Sequence, residues 1–305
     1  MKIAVFGTGV AGGYFGGRLA AAGEDVAFLA RGRQLEALRR SGLSIASPKG
    51  DVRLDRVAAS GDPAEIGPVD VVLFGVKLYD AAGAAAALGP LLGPNTAVVT
   101  MQNGVEVVEI VSRHVGAEHV VAGAAYIMAS MTEPGRIRHV GADTLLFGER
   151  DGSRSARLAA LEAAGNRAGF KATLSPTIEL DLWVKFVRLA TWAGMTAVTR
   201  SPMGVLRSDP ALDGMMHAAL EEAIAVGRAR GIPLPADLRA ETDALVARFP
   251  DEAKSSMLED LEHGRRLELP WLSGAIVRMG REAGVPTPVH SFIAAALGPF
   301  VDGRR

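Results

Sequence analysis

The sequence has no cysteine, which excludes disulfide bonds, thiolate nucleophiles and thiolate metal sites. Its six histidines form no close pair with the spacing of a metal-binding motif, so no metal site is predicted. No charge-free apolar run reaches the roughly 18 residues of a membrane span. The formal net charge of −1 also lacks the basic excess that is typical of nucleic-acid-binding proteins. We therefore expect no nucleic-acid or membrane partner.

Length and composition are those of a globular protein with more than one domain. Hydrophobic residues make up 49% of the chain and charged residues 22%, and its 305 residues exceed the size at which single cores stop growing. The N-terminus reaches a glycine turn at Gly7, too early for the apolar core of a signal peptide. We expect a cytoplasmic protein of two domains.

The first half of the chain alternates β-branched runs with alanine-rich segments, which predicts a parallel sheet covered by helices on both faces. The predicted strands are Lys2–Phe6, Asp25–Leu29, Val69–Phe74, Thr96–Thr100, Val120–Ala125, Arg136–Val140 and Thr144–Gly148. The predicted helices are Tyr14–Ala22, Arg33–Ser41, Tyr79–Leu88 and Val105–Val115.

After about Thr173 the strand-like runs give way to long helical segments. These are Glu179–Ala197, Pro210–Arg230, Ala236–Arg248, Leu267–Ala283 and Val289–Leu297. The predicted fold class is thus α/β, with an N-terminal domain over residues 1–173 followed by an all-helical domain over residues 174–305. Two such domains create a cleft, where ligand pockets preferentially lie.

A glycine motif follows the first predicted strand. Residues 7–12 read G-x-G-x-x-G and open a small-residue helix, the pattern of a Rossmann dinucleotide-binding domain. The three glycines allow a tight turn, close approach to a pyrophosphate and close helix–strand packing, and the helix N-terminus attracts phosphate. The candidate cofactor-binding residues are Gly7, Thr8, Gly9, Val10, Ala11 and Gly12.

Arg31 follows the second predicted strand, where an NAD-preferring domain places an acid for the ribose hydroxyl. A guanidinium matches the geometry of phosphate, so Arg31 favours the 2′-phosphate of NADP. Arg33 either assists or is a solvated charge. Lys77 and Asn103 follow later strands, at the edge that faces the ligand, although Asn103-Gly104 is also a common turn pair.

Lys185 lies in a helical segment that is apolar nearly all round, so we expect it to be buried. Burial lowers the pKa of a lysine and suits it to donate a proton near neutral pH. The alternative is a structural ion pair with Asp181 at i−4. There are two further candidates. Ser256 could donate to a substrate carboxylate, and Glu268 could orient a lysine or a ribose hydroxyl. Their alternatives are a helix N-cap and a helix-surface glutamate.

Several motifs together resemble the ketopantoate reductase (2-dehydropantoate 2-reductase) family over essentially the whole chain. They are the start Lys2–Gly9, Arg31-Gly32, Val76-Lys77, Gln102–Val105, Leu182–Lys185, Ser255–Leu261 and Gly284–Pro288. The resemblance implies an NADP-dependent oxidoreductase that reduces 2-dehydropantoate to (R)-pantoate with NADPH, on the route to pantothenate.

The resemblance also implies residue roles. Lys185 is the general acid and Glu268 contacts the cofactor ribose near it. Asn103 touches nicotinamide and substrate, and Ser256 binds the substrate carboxylate. Arg31 and Lys77 hold the NADP phosphates, and Ala129 makes a backbone contact to the cofactor.

The substrate-binding residues depart from the family pattern. The family usually carries asparagines four and eight residues after the catalytic lysine, where this chain has Leu189 and Ala193, and a third at Met203. Apolar residues at these positions predict a less polar or bulkier 2-oxo acid, or another carbonyl compound, because each missing hydrogen bond would have contributed about 0.5–1.5 kcal/mol. The alternatives are an NADP-binding regulator and a hydroxy-acid or opine-type dehydrogenase. Because two-domain reductases of this kind often form dimers, the resemblance also suggests a homodimer.

Overall fold

The computed structural model describes residues 1–304. The chain forms two compact units, Met1–Gln102 with Glu106–Asp181 and Asn103–Val105 with Leu182–Arg305. The division between the units falls inside a long helix, downstream of the boundary after residue 173 that the sequence predicts.

A sheet of ten strands forms the first unit. The strands are β1 (Lys2–Phe6), β2 (Asp25–Leu29), β3 (Leu43–Ala46), β4 (Val52–Leu54), β5 (Ala58–Ser60), β6 (Val69–Phe74), β7 (Leu92–Thr100), β8 (Val120–Glu133), β9 (Arg136–Gly148) and β10 (Lys171–Leu174). Their order is β4-β3-β9-β8-β7-β6-β1-β2-β5, and β10 pairs with β9. From β5 to β8 each strand is parallel to its neighbour, which confirms the predicted parallel sheet.

Five helices pack around this sheet, and β1, β2 and β6 occupy the residues predicted for them. The helices are α1 (Val10–Ala21), α2 (Gly32–Ser41), α3 (Ala81–Ala85), α4 (Val107–Val115) and α5 (Ala156–Arg167). Small residues let α1 lie against the sheet: a Cβ at Gly16 would come within 2.4 Å of Val5. Tyr14, Phe15 and Leu19 then fill the core beneath α1.

Two sequence predictions about strands need correction. Arg136–Val140 and Thr144–Gly148 are not separate strands but parts of β9, which pairs antiparallel with the long β8. The short strands β3, β4, β5 and β10 and helix α5 were not predicted. β8 extends beyond the predicted end at Ala125 because this antiparallel pairing continues to Glu133.

The second unit is helical, as predicted. Its helices are α6 (Ile178–Thr199, whose first residues belong to the first unit), α7 (Met203–Ser208), α8 (Pro210–Ala229), α9 (Leu238–Val246), α10 (Ser256–Glu262), α11 (Ser273–Ala283) and α12 (Pro288–Leu297). The predicted helix Leu267–Ala283 is wrong in its first part, where Pro270 limits the chain to one 3₁₀ turn, Leu269–Trp271. In residues 1–304 no helix has the length and apolar character to cross a membrane.

Candidate active site

The glycine motif forms a tight turn between β1 and α1. Gly7 has φ +97°, and a Cβ there would lie 2.7 Å from the backbone nitrogen of Val76. A Cβ at Gly12 would lie 2.4 Å from the carbonyl oxygen of Gly7. Both positions therefore need glycine for the fold itself. A Cβ at Gly9, the N-cap of α1, would meet no other heavy atom within 4 Å.

Thr8 is buried, and protein partners occupy its polar groups. Its backbone nitrogen and Oγ1 donate to the carbonyl oxygen of Leu29 at 3.2 and 3.0 Å. Its own carbonyl oxygen accepts from Gln34 Nε2 at 2.9 Å, while Gln34 Oε1 accepts from the backbone nitrogen of Gly135 at 2.9 Å. Gln34 thus ties the glycine turn to the β8–β9 turn, a role that the sequence analysis missed.

The first turn of α1 fits a dinucleotide pyrophosphate. The N–H groups of Val10, Ala11 and Gly12 have no partner within the helix, because no helical carbonyl precedes the first turn to accept from them. The open space at Gly9 lies at the same helix end, where the helix dipole favours negative charge. The backbone at Val10–Gly12 would hold the diphosphate, and Gly9 gives it room to approach.

Charged residues follow the next strands of this edge. β1 lies between β2 and β6 in parallel register, so the three strands end at one edge of the sheet. Arg31 follows β2 as the exposed N-cap of α2, and Arg33, two residues later, is also exposed. Lys77 follows β6, is half-buried and precedes a 3₁₀ turn at Leu78–Asp80. Ala129 lies half-buried on β8 opposite His139.

Lys185 and Glu268 are both buried in the second unit, with 9% and 6% of their surface exposed. Burial lowers the pKa of Lys185 and the negative charge of Glu268 raises it, and the net result is a pKa of about 8. Glu268 directly precedes the 3₁₀ turn at Leu269–Trp271, so it is not the helix-surface glutamate of the alternative interpretation. The arrangement gives an ammonium group that can release its proton near neutral pH.

Asp181 was the alternative partner for Lys185. It accepts a short hydrogen bond from Ser175 Oγ. The carboxylate whose charge acts on the pKa of Lys185 is that of Glu268. The structure therefore favours the lysine–glutamate pair over the i−4 ion pair.

Among residues 1–304, no three His, Asp or Glu side chains are grouped so that they could hold a metal ion.

Asn103 lies half-buried in a bend, and Gly104 after it has φ +85°. Its segment, Asn103–Val105, belongs to the second unit although β7 before it belongs to the first. Asn103 therefore belongs to the same unit as Lys185 and Glu268. The bend at Asn103 and the positive φ of Gly104 are the turn that the sequence allows for an Asn-Gly pair.

Ser255 and Ser256 have different surroundings at the start of α10. Ser255 is the N-cap, and its Oγ accepts from the backbone nitrogen of Leu258 at 3.1 Å. Ser256 is the first helical residue and is exposed. The alternative of Ser256 as an N-cap is therefore wrong, and its hydroxyl lies on the surface of the second unit.

The residues at the three departures from the family pattern are apolar and differ in exposure. Leu189 is half-buried one turn after Lys185 on α6. Ala193 and Met203 are buried, with 0% and 2% exposed surface. Of the three, Leu189 presents the most side-chain surface beside the lysine. Direct contact of Ala193 with a substrate stays a prediction.

Comparison with known proteins matches both units to the same protein family. A family model described as Ketopantoate reductase PanE/ApbA matches residues 3–152, and one described as Ketopantoate reductase PanE/ApbA C terminal matches residues 177–300. The 2-dehydropantoate 2-reductase of Mesorhizobium japonicum is 31% identical, with 97% of each chain covered.

Solved structures have the same fold. A ketopantoate reductase of Ralstonia eutropha superposes with a TM-score of 0.90 at 32% identity, covering 98% of each chain. A D-mandelate dehydrogenase structure with NADH and anilino(oxo)acetate gives a TM-score of 0.88 at 22% identity, again with 98% of each chain covered.

The fold and the candidate site define an oxidoreductase that uses a nicotinamide cofactor. Both family models match, and together they span most of the sequence. The chain belongs to the ketopantoate reductase family.

Proposed function

We propose that this protein uses NADPH to reduce a small 2-oxo acid to the 2-hydroxy acid, with Lys185 as general acid. The observation that carries the proposal is the buried ammonium of Lys185, whose pKa is lowered to about 8. A general acid works best when its pKa lies near the working pH. Family membership supports the reaction class, because the similar proteins are named 2-dehydropantoate 2-reductases.

When bound, NADPH would supply a hydride for the carbonyl carbon of the substrate. The carbonyl electron pair then moves onto oxygen, which takes a proton from the Lys185 ammonium and leaves a neutral amine. Glu268 raises the pKa of Lys185 and so keeps the amine protonated at neutral pH. Ser256 donates to the substrate carboxylate, and Asn103 orients the substrate and the nicotinamide.

Arg31 supports NADPH over NADH. It stands exposed after β2, where a ribose 2′-phosphate can meet its guanidinium, and no acid occupies that position. Lys77 adds a second cation after β6. The backbone at Val10–Gly12 binds the diphosphate, and Ala129 adds a backbone contact to the cofactor.

The substrate is 2-dehydropantoate or a less polar relative. Leu189 offers a branched apolar side chain one turn from Lys185, and a leucine cannot hydrogen-bond a substrate hydroxyl. Ala193 and Met203 extend the apolar character of α6 and α7. A matched substrate pair separates the two possibilities: 3,3-dimethyl-2-oxobutanoate is 2-dehydropantoate without its 4-hydroxyl.

The test is NADPH oxidation with a panel of 2-oxo acids that includes this pair. We expect turnover by the wild type, and a loss of about 10²–10⁴-fold in kcat in Lys185→Ala with NADPH affinity kept. Lys171→Ala, at an exposed position on β10, is the control and should turn over normally. Wild-type turnover in Lys185→Ala would refute the mechanism. Tight NADPH binding without turnover of any 2-oxo acid would instead indicate a regulatory protein.

A further inference from the structure

A chain of hydrogen bonds joins the start of α10 to the last turn of α6. Thr196 Oγ1 and Ser255 Oγ lie 2.7 Å apart, and both residues are buried. Thr196 Oγ1 also lies 2.7 Å from the carbonyl oxygen of Trp192 on its own helix. Ser255 Oγ lies 3.1 Å from the backbone nitrogen of Leu258.

The proton positions in this chain follow from its two ends. The carbonyl of Trp192 can only accept, so the hydroxyl of Thr196 donates to it. Thr196 Oγ1 must then accept from Ser255, whose own oxygen accepts from the Leu258 N–H. Each of the two hydroxyl groups donates one hydrogen bond and accepts one. Since Ser255 is fully occupied, Ser256 is the serine of the pair whose hydroxyl lies on the surface.

The residues before Ser255 are fixed as well. The backbone nitrogen of Met203 donates to the carbonyl oxygen of Ala253 at 2.9 Å. The backbone nitrogen of Gly204 donates to the carbonyl oxygen of Asp251 at 2.8 Å. The peptide that leads into α10 is thus held to α7, and the first turn of α10 is held to α6.

Thr196 and Lys185 are on the same helix and on nearly the same face of it. They are about three turns apart, and residues at that spacing project in similar directions. The bond from Ser255 to Thr196 therefore sets Ser256 relative to the helix that carries the ammonium. A shift of about 1 Å in such a group is enough to weaken substrate binding.

We propose that Thr196 is a positioning residue, which through Ser255 holds the Ser256 hydroxyl in place for the carboxylate of the 2-oxo acid. The inference rests on the proposed reductase function. It assigns to Thr196 no contact with the substrate. Its effect should appear in the KM for the 2-oxo acid and not in the KM for NADPH.

The experiment compares Thr196→Val with Thr191→Val. Thr191 is buried on the same helix and donates in the same way to the carbonyl oxygen of Val187 at 2.8 Å, so both variants lose a buried bond to α6. Of these two threonines, Thr196 is the one that bonds to the N-cap of α10. For the 2-oxo acid that the wild type reduces fastest, we expect Thr196→Val to raise KM about threefold to tenfold. The control should stay within about twofold of the wild type.

A conservative variant and a local probe separate positioning from general damage to the fold. Thr196→Ser keeps the hydroxyl and should restore the wild-type KM. In hydrogen exchange, the amide of Leu258 should exchange faster in Thr196→Val than in Thr191→Val. Ser256→Ala should raise the same KM, and adding Thr196→Val to it should raise KM little further, because both changes act on one contact.

The outcomes are distinguishable. Equal KM values in Thr196→Val and Thr191→Val, with an active wild type, would overturn the positioning role and leave the proposed reductase intact. A rise in KM that Thr196→Ser does not reverse would also overturn it, because the hydroxyl would then not be responsible. A wild type that reduces none of the 2-oxo acids would overturn both proposals.

Discussion

The carboxylate of Glu268 opposes the effect of burial on the ammonium of Lys185. Burial lowers the pKa of the lysine, the glutamate raises it, and the two effects together give a pKa of about 8. In the proposed mechanism, the protonated amine is the form that donates to the carbonyl oxygen. If Lys185 is the general acid, the balance between burial and Glu268 should set the pH above which reduction slows.

The pH dependence of reduction tests this balance. In the wild type we expect kcat to fall as pH rises through about 8, because Lys185 loses its proton. Glu268→Gln removes the charge that raises the pKa, so the fall should move to lower pH. Glu259→Gln, at an exposed position on α10, should leave the profile in place. A fall at the same pH in Glu268→Gln and wild type would show that another group controls the profile.

The two glycines of the turn should respond differently to alanine. Gly9→Ala meets no protein atom, and Gly9 has φ −83°, which alanine tolerates. We expect native stability with weaker NADPH binding, because the new methyl group occupies the space in front of α1. Urea unfolding and NADPH titration measure the two effects.

Gly7→Ala is the comparison variant for Gly9→Ala. Its φ of +97° and the contact with Val76 should cost more than about 1 kcal/mol of unfolding free energy. If Gly9→Ala bound NADPH as tightly as the wild type, the cofactor would not approach α1 at this point.

Cofactor preference should depend on Arg31. Arg31→Ala removes the guanidinium expected at the 2′-phosphate, so the KM for NADPH should rise about tenfold to a hundredfold. The KM for NADH should hardly change, because NADH lacks that phosphate. Arg33→Ala tests whether its neighbour assists. Equal losses with NADPH and NADH in Arg31→Ala would contradict recognition of the phosphate.

Substrate selectivity should depend on Leu189. Leu189→Asn introduces a hydrogen-bonding amide one turn from Lys185, so kcat/KM for 2-dehydropantoate should rise about threefold to tenfold relative to 3,3-dimethyl-2-oxobutanoate. Leu189→Met keeps an apolar side chain of similar size and should leave that ratio near the wild-type value. An unchanged ratio in Leu189→Asn would place the substrate hydroxyl away from this residue.

Central strands could be predicted from the sequence because their burial leaves a continuous pattern. β1 and β6 are β-branched runs in the middle of the sheet and were predicted residue by residue. The edge strand β4 has only three residues, too few for a periodic pattern. Helix α3 proved shorter than predicted, because much of the segment Tyr79–Leu88 forms 3₁₀ or irregular turns.

Some features of the candidate site could likewise be predicted from the sequence, and others could not. Local order along the chain was enough to predict the glycine turn and the position of Arg31 after β2. Glu268 was predicted as a residue that could orient a lysine, and the family resemblance placed it near Lys185. Its effect on the pKa of Lys185 and the bond between Thr196 and Ser255 nevertheless join residues far apart in sequence. No local pattern records such pairs, because their distances depend on how the helices pack.

The amide of Gln34 connects the glycine turn to a residue remote in sequence. It holds the carbonyl of Thr8 and, through its oxygen, the N–H of Gly135 across a separation of 101 residues. Any ligand that stiffens the glycine turn should therefore slow deuterium uptake at the Gly135 amide. That one amide would then report nucleotide occupancy through the side chain of Gln34.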